Sequence, residues 1–177
     1  MRSRPEGEPR VLIAAGEASG DVLGGALVSA YRAAGGRARF VGMGGAAMRA
    51  AGVDVRVEAD RLAVVGAVEV VRHLPAIVRA WRLLTRLLAE VDLVVLIDYP
   101  DFNLRLARAA RRRGLPVFYY VGPQLWAWRP WRVRALRACV THLAVLLPFE
   151  ASFYEAHGVP VTYVGHPVLD APRPAGG

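Results

Sequence analysis

Cysteine and lysine are the residue types that this sequence has least of. It contains one cysteine, Cys139, and no lysine, so that its 23 basic residues are all arginine. A single thiol excludes an internal disulfide and is typical of a reducing compartment, and the neighbouring Val140 favours a packed core position for it. Without lysine the chain cannot form a phosphate-binding loop of the GxxxxGK(S/T) type.

Long apolar runs are also missing. No stretch approaches the ~18 uninterrupted apolar residues that a spanning helix needs, and the opening MRSRPEGEPR is polar, unlike a secretory signal. We therefore expect a soluble or peripheral protein of the cytoplasm. The four histidines lack metal-ligand spacing, and HExxH and CxxC motifs do not occur, so no metal site is expected.

What the sequence does have is enough apolar residues for one folded domain. Of its 177 residues 54% are hydrophobic, and the net charge is +8, which favours anionic partners such as phosphates or an acidic membrane surface. Short runs rich in Val and Ile alternate with longer segments of helical periodicity. This alternation predicts a doubly wound, Rossmann-like α/β domain with a parallel sheet.

The predicted elements follow from that periodicity. Strands are predicted at residues 10–15, 39–42, 53–57, 92–98, 116–121, 142–146 and 161–164, and helices at 20–34, 65–73, 75–90, 103–113, 131–138 and 148–157. Residues 1–9 are expected to be flexible, residues 10–168 to form the domain, and residues 169–177, rich in Pro and Gly, to be a linker-like tail. Loops that follow parallel strands lie along one edge of a sheet, where ligands bind.

The first of these loops is GEASGD, residues 16–21. It carries two carboxylates, Glu17 and Asp21, which would repel a phosphate but accept hydrogen bonds from the hydroxyls of a sugar. A structural interpretation is equally supported, in which Gly16 and Gly20 allow close packing and Ser19 caps the next helix. The loop therefore favours a polyol site over a nucleotide site, and leaves a purely structural role open.

The loop DYPDFN follows the fourth predicted strand. It places Asp98 at the end of a buried strand and Asp101 just after Pro100. The two carboxylates could satisfy backbone donors and cap the helix that begins near Asn103. Two carboxylates at a ligand edge are costly unless they are used, and one of them is a candidate general base.

The loop GPQLWAWRPWR follows the fifth predicted strand and holds three of the four tryptophans. Trp126 and Trp128 share one side of an extended segment, and indole faces stack on sugars or insert into lipid. Arg129 and Arg132 could hold a phosphate. Single-stranded nucleic acid is a weaker alternative, because it needs several aromatic platforms and only 8% of the residues are aromatic.

Residues 61–89 form an apolar segment broken by arginines. Trp81, Leu84 and Leu88 fall near one helical face, and Arg79 and Arg82 fall on another. The favoured interpretation is a helix that packs on the sheet and exposes a basic face. Attachment to a membrane surface through its Trp and Leu side chains is the alternative.

Taken together, the loops resemble the lipid-A-disaccharide synthase family. The matching segments, in order, are AGEASGD (15–21), VVGAVEVV (64–71), IDYPDFN (97–103), GPQLWAWR (122–129), LPFE (147–150) and VGHPVLD (164–170). The resemblance implies the N-terminal, acceptor-side half of a GT-B glycosyltransferase, without a cofactor and without the donor domain. Gly122, where serine is expected, and Val65, where methionine is more usual, are mild departures.

The resemblance also implies a reaction and its partners. The family transfers 2,3-diacylglucosamine from UDP, with inversion, to 2,3-diacylglucosamine 1-phosphate, on the inner face of the cytoplasmic membrane. Asp101 is the first candidate for the base and Asp98 the second. The residues expected to bind the acceptor are Glu17, Ser19, Gly20, Asp21, Asn103, Gln124, Trp126 and Arg129. The alternative is a non-catalytic acceptor-binding half that works with a separate donor-domain chain.

Overall fold

A seven-stranded parallel sheet forms the centre of the molecule in a computed structural model that describes residues 7–61, 67–125 and 132–167. The strand order is β3-β2-β1-β4-β5-β6-β7. The strands are β1 (Arg10–Ala15), β2 (Arg39–Gly44), β3 (Asp54–Glu58), β4 (Leu93–Ile97), β5 (Val117–Tyr120), β6 (His142–Val145) and β7 (Val161–Tyr163). The predicted doubly wound parallel sheet is confirmed, and every predicted strand lies within two residues of an observed one.

Six α-helices are described around the sheet. They are α1 (Ala18–Ala33), α2 (Ala46–Ala50), α3 (Ala67–Leu87), α4 (Pro100–Arg112), α5 (Val133–Cys139) and α6 (Pro148–Ala156), and a 3-10 turn spans Ala59–Arg61. Helices α1 and α2 pack on one face of the sheet through a core that includes Ile13, Val28 and Met48. Helices α3 to α6 cover the other face through a larger core that includes Leu84 and Leu136.

The inner strands are buried on both faces because they are almost entirely apolar. Val11 to Ala15 of β1 and Val94 to Ile97 of β4 are buried without interruption. Cys139 is 2% exposed and lies in the core that α3 to α6 cover, as its neighbours predicted. Burial raises the pKa of its thiol, which is therefore a packed group rather than a reactive one.

Helix α3 differs from the prediction of two helices separated at Pro75. The structure has one helix from Ala67 to Leu87, with Pro75 inside it. Proline removes one intrahelical hydrogen bond. Burial of Ala80 and Leu84 in the helix, and of Leu88 directly after it, offsets that loss, because tertiary packing contributes most of the stability of a helix. The arginines Arg79, Arg82 and Arg86 are exposed, as the favoured interpretation required.

Three further differences concern helix beginnings. Helix α2 was not predicted, because it has only five residues. Helix α1 begins at Ala18 with Glu17 as its N-cap, so the expectation that Ser19 caps it is wrong. Helix α4 begins at Pro100, three residues before the predicted start, and Asp101 lies in its first turn. Within the described residues, none of the helices combines the length and apolar character that a bilayer span requires.

Candidate functional site

Strands β1, β4 and β5 are neighbours in the sheet, so the loops that follow them meet at its carboxyl edge. The ring of Tyr99 lies directly over Gly16, where a Cβ atom would come within 2.2 Å of the ring. The backbone N–H of Asp98 donates to the carbonyl of Tyr120 over 3.2 Å. The predicted convergence of these three loops is therefore present in the described parts of all three.

The backbone is strained at this edge. Asp98, Tyr99 and Val121 have φ angles of 45°, 49° and 60°, in the left-handed region that non-glycine residues avoid. Tyr119 Oη and Asn103 Nδ2 both donate to the carbonyl of Asp98, over 2.7 and 2.8 Å, and hold this peptide in place. Strain of this kind persists only where surrounding contacts enforce it, and it clusters at functional sites.

Asp98 lines a polar cavity of about 430 Å³ between the loops after β4 and β5. The cavity also contacts Asp101, Gly122, Gln124 and Arg132, and we call it the polar cavity. Partial burial raises the pKa of Asp98, and a hydrogen bond from the backbone N–H of Tyr99 opposes part of that effect. A carboxylate with a raised pKa is a stronger base, which suits general base catalysis.

Asp101 lies at the mouth of the same cavity, with its side chain 77% exposed. Its Oδ1 accepts a hydrogen bond of 2.7 Å from Arg132, whose side chain is 31% exposed. The carboxylate also lies in the first turn of α4, where the helix dipole favours a negative charge. Asp101 is thus already engaged by a cation, whereas Asp98 forms no ion pair with any of the described residues.

The sequence offers both Arg129 and Arg132 as phosphate ligands and predicts Arg129 as the residue that binds the acceptor. Arg132 lines the polar cavity, and a guanidinium paired with one carboxylate keeps further N–H donors for an anion. The preceding residues Trp126 and Arg129, both predicted to bind the acceptor, lie outside the described residues. Gln124 is exposed and lines the cavity.

Tyr154 is a supporting residue that the sequence did not reveal. It is fully buried in α6, and its hydroxyl donates to the carbonyl of Pro123 in the loop after β5. Burial raises its pKa, so the phenol stays protonated and remains a donor. Glu150 Oε2 accepts from the backbone N–H of Leu147 over 3.2 Å, which fixes the start of the same helix. The LPFE motif therefore serves to position α6 under the cavity wall.

The residues of the GEASGD loop separate into two groups. Glu17 and Ser19 are exposed at the carboxyl edge, whereas Gly20 and Asp21 are buried. Asp21 accepts hydrogen bonds from the backbone N–H groups of Gly45, Ala47 and Met48 over 2.6, 2.9 and 3.0 Å. These donors are the free N–H groups at the start of α2. Binding of a sugar by Gly20 or Asp21 stays a prediction, and the contacts of Asp21 are structural.

Asn103 also points inward. It is 0% exposed, and its Nδ2 donates to the carbonyls of Asp98 and Ile97 over 2.8 and 3.1 Å and lies 3.4 Å from that of Ala14. Its Oδ1 is the one buried side-chain polar atom without a partner among the residues that the structure describes. Asn103 therefore joins the ends of β1 and β4, and its predicted contact with the acceptor is untested.

A larger cavity of about 690 Å³ lies at the opposite edge of the sheet, near the start of β1 and β2. Three of the four arginines that line it have partners within the chain. Arg10 and Arg39 form ion pairs with Glu90 and Glu8, and Arg32 donates to the carbonyl of Gly52. Within the described ranges, no cluster of His, Cys, Asp and Glu could hold a metal ion. The polar cavity at the carboxyl edge is therefore the candidate site.

The sequence matches a family model described as lipid-A-disaccharide synthetase over residues 11–175. A lipid-A-disaccharide synthase from Trichlorobacter lovleyi is 51% identical over 163 residues, which are 91% of this chain and 43% of that protein. One from Geobacter sulfurreducens is 49% identical over 170 residues, or 95% of this chain and 44% of that protein. The chain thus spans less than half the length of these curated relatives.

Solved structures share the fold at low sequence identity. The UDP-GlcNAc 2-epimerase of Neisseria meningitidis, bound to UDP-GlcNAc, matches with a TM-score of 0.62 at 12% identity, over 92% of this chain and 47% of that one. An Anabaena protein in complex with UDP and glucose matches with a TM-score of 0.53 at 14% identity, over 90% and 45% of the two chains. At these identities the likeness concerns the fold alone.

Proposed function

The chain belongs to the lipid-A-disaccharide synthetase family, and we propose that it forms the acceptor-side half of an inverting glycosyltransferase. The acceptor is 2,3-diacylglucosamine 1-phosphate, and the donor is UDP-2,3-diacylglucosamine. The observation that carries the proposal is the polar cavity, which is lined by the half-buried carboxylate of Asp98 and the guanidinium of Arg132. The protein would act at the inner surface of the cytoplasmic membrane, where both amphiphilic substrates lie.

Transfer requires a base for the acceptor hydroxyl. In the proposed step that hydroxyl gives its proton to Asp98 while its oxygen forms a bond to the anomeric carbon of the donor. The bond from that carbon to the phosphate oxygen breaks, and UDP leaves with the electron pair. Inversion follows because the attack comes from the face opposite the leaving group. The raised pKa of Asp98 supports its role as the base.

Asp101, the first candidate from sequence, receives a different role in this proposal. Its carboxylate is exposed and bonded to Arg132, so a proton from the acceptor would have to compete with that ion pair. We assign Asp101 to the orientation of Arg132, and Arg132 to the 1-phosphate of the acceptor. Glu17, Ser19 and Gln124 are exposed, Gln124 lines the cavity, and we assign all three to sugar hydroxyls. Trp126 and Arg129 keep their predicted roles in acceptor binding.

The test is transfer between the two proposed substrates by the purified chain, alone and with the remaining part of the Geobacter sulfurreducens relative. We expect Asp98→Asn to lower the rate by about 10²- to 10⁴-fold with acceptor binding retained. Asp101→Asn should lower the transfer rate less than Asp98→Asn and should weaken binding of the acceptor. Full activity of Asp98→Asn would remove Asp98 from the mechanism. Acceptor binding without transfer in either arrangement would favour the non-catalytic acceptor-binding half.

A further inference from the structure

A second, apolar cavity of about 650 Å³ lies beside the polar cavity, between α3 and the start of α4. We call it the α3–α4 groove. Helix α3 contributes Leu74, Ile77, Val78 and Trp81 to it, and α4 contributes Phe102. The groove has no assigned role in the reaction described above, and its lining differs in character from that of the polar cavity.

Two apolar side chains of this groove are exposed, whereas Phe102 belongs to the core and Ile77 and Trp81 pack against it. Leu74 is 52% exposed and Val78 is 38% exposed. Each such side chain gains about 1.5 to 3 kcal/mol when it is fully buried, so a run of them on one wall favours an apolar ligand. Because both residues belong to a helix whose opposite face is anchored in the core, the wall is preformed.

Aromatic rings give the groove a continuous wall that leads to the GEASGD loop. The rings of Trp81 and Phe102 pack edge to face with centroids 5.8 Å apart, and those of Phe102 and Tyr99 are 6.0 Å apart. The ring of Tyr99 in turn covers Gly16. These rings offer apolar surface to an alkyl chain between α3 and the β1 loop.

The groove and the polar cavity are adjacent. Pro100 and Asp101 line both of them. A ligand that occupies both must therefore carry a polar group joined directly to an apolar chain. Glu17 and Arg105 are charged side chains in the groove lining, and they offer an acceptor and a donor to an amide or ester that links the two parts.

We propose that the α3–α4 groove binds an acyl chain of the acceptor amino sugar whose head group occupies the polar cavity. This inference rests on the proposed function, because the amino sugar phosphate is the head group assigned there. Burial of the chain excludes water from Leu74, Val78 and Trp81. It also fixes the distance between the chain and the sugar hydroxyl at Asp98, so the groove acts as a specificity-determining subsite.

The experiment is calorimetric titration of the whole chain with N-acylglucosamine 1-phosphates. Their acyl chains run from octanoyl through decanoyl and dodecanoyl to tetradecanoyl, all at concentrations below micelle formation. Glucosamine 1-phosphate without an acyl chain measures the head group by itself. We expect affinity to rise about 4-fold for each added methylene until the groove is filled, and then to stop rising.

Two valines provide a matched pair of variants. Val78→Asn places a polar group in the groove, and Val22→Asn places one on α1, where Val22 is 62% exposed on the other face of the sheet. Both positions are exposed on helices, so both variants should fold. We expect Val78→Asn to lower affinity for the dodecanoyl ligand about 10-fold and to leave glucosamine 1-phosphate binding unchanged. Val22→Asn should change neither.

The outcomes separate this inference from the proposed function. Head-group binding with no dependence on chain length, or equal losses in the two valine variants, would overturn the acyl-chain subsite and leave the proposed function standing. A different outcome is that affinity depends on chain length, Val78→Asn abolishes that dependence, and glucosamine 1-phosphate does not bind. The groove would then still be an alkyl-binding site. That same result would overturn the amino sugar phosphate as the ligand of the polar cavity.

Discussion

Asp101 and Arg132 form an ion pair across the mouth of the polar cavity, with 2.7 Å between Asp101 Oδ1 and the Arg132 guanidinium. The pair joins the first turn of α4 to the residue just before α5, 31 positions later in the chain. It fixes the direction of the guanidinium and occupies one carboxylate oxygen. The two residues therefore act as one unit, in which the carboxylate orients the cation.

The first prediction concerns this pair. Arg132→Gln should weaken binding of glucosamine 1-phosphate by about 10- to 100-fold, because a charge-assisted hydrogen bond to the phosphate is lost. Binding of glucosamine should not change. Asp101→Asn should weaken binding of glucosamine 1-phosphate less than Arg132→Gln does, because it removes only the carboxylate that orients Arg132. Titration calorimetry of both ligands measures these differences.

Arg134→Gln is the matched control, because Arg134 is an exposed arginine of α5 that does not line the polar cavity. It should leave both affinities unchanged. The free energy of unfolding of Asp101→Asn should stay within about 1 kcal/mol of the parent chain, since exposed ion pairs contribute little. Equal losses for Arg132→Gln and Arg134→Gln would show a general charge effect and would exclude a specific phosphate contact.

The second prediction follows from the raised pKa of Asp98. At a pH between its ordinary value and its folded value, the folded chain holds a proton that the unfolded chain has released. The stabilising contribution of Asp98 is therefore fully present below the ordinary pKa and is lost as the pH rises through the folded pKa. Asp98→Asn has no such ionisation, so its stability relative to the parent chain should increase over that interval.

Urea unfolding of the parent chain and Asp98→Asn between about pH 3 and about pH 7 gives this difference, and carbon NMR of the carboxyl group gives the folded pKa directly. A difference in unfolding free energy that is flat, or that changes in the opposite direction, would mean that burial does not dominate at Asp98. The assignment of Asp98 as the base would then lose its main physical support.

The third prediction concerns Asp21. Its carboxylate satisfies three backbone N–H groups at the start of α2, so Asp21→Ala leaves buried donors without acceptors. We expect a loss of about 3 kcal/mol in the free energy of unfolding. Asp21→Asn keeps one acceptor oxygen and should lose about half as much. Glu17→Ala, at an exposed position four residues earlier in the sequence, should be close to neutral.

Urea unfolding measures the predicted loss of stability in the Asp21 variants. Titration with glucosamine 1-phosphate tests the alternative, in which Asp21 binds the sugar. If Asp21→Ala kept the stability of the parent chain but lost affinity for glucosamine 1-phosphate, the role predicted from the sequence would be correct and the structural role wrong. The two results cannot be confused, because one changes the unfolding midpoint and the other changes the binding isotherm.

The sequence was sufficient to predict the sheet and the convergence of the loops that form the candidate site. The inner strands are continuous apolar runs, so their bounds could be predicted closely, as β1 shows by matching at both ends. The convergence of the loops at residues 16–21 and 98–103 followed from the rule that parallel strands share a carboxyl edge. The strand bounds and the strand–helix alternation depend on residues that are close in the sequence, so composition and short-range periodicity are enough to predict them.

Contacts between distant parts of the chain could not be predicted in the same way. Asp21 reaches a helix that begins 25 residues later, and Asn103 reaches a carbonyl 89 positions earlier. Nothing near either residue distinguishes a structural acceptor from a ligand contact. Pro75 gave a local signal for a helix start that the packing of Leu84 and Leu88 overrides. The orientations of these side chains could not be predicted for the same reason, because tertiary packing determines them.

The last prediction concerns Asn103, the one asparagine in the chain. Its Nδ2 faces the carbonyls of Ala14, Ile97 and Asp98, and it is 0% exposed. Asn103→Ala should lower the free energy of unfolding by about 2 to 3 kcal/mol, because buried carbonyls lose their donor. Asn103→Asp should cost more at neutral pH, since it directs a negative charge at the same carbonyls.

The cost of Asn103→Asp should also depend on pH with a definite sign. Burial disfavours the charged form, so the introduced carboxyl takes up a proton as the pH falls, and the protonated group can donate to a carbonyl again. Urea unfolding at about pH 7 and about pH 4 should show Asn103→Asp approaching Asn103→Ala in stability at the lower pH. A stable Asn103→Ala variant that has lost only its affinity for the sugar would instead assign Asn103 to the acceptor, and the carbonyl of Asp98 would then be held by Tyr119.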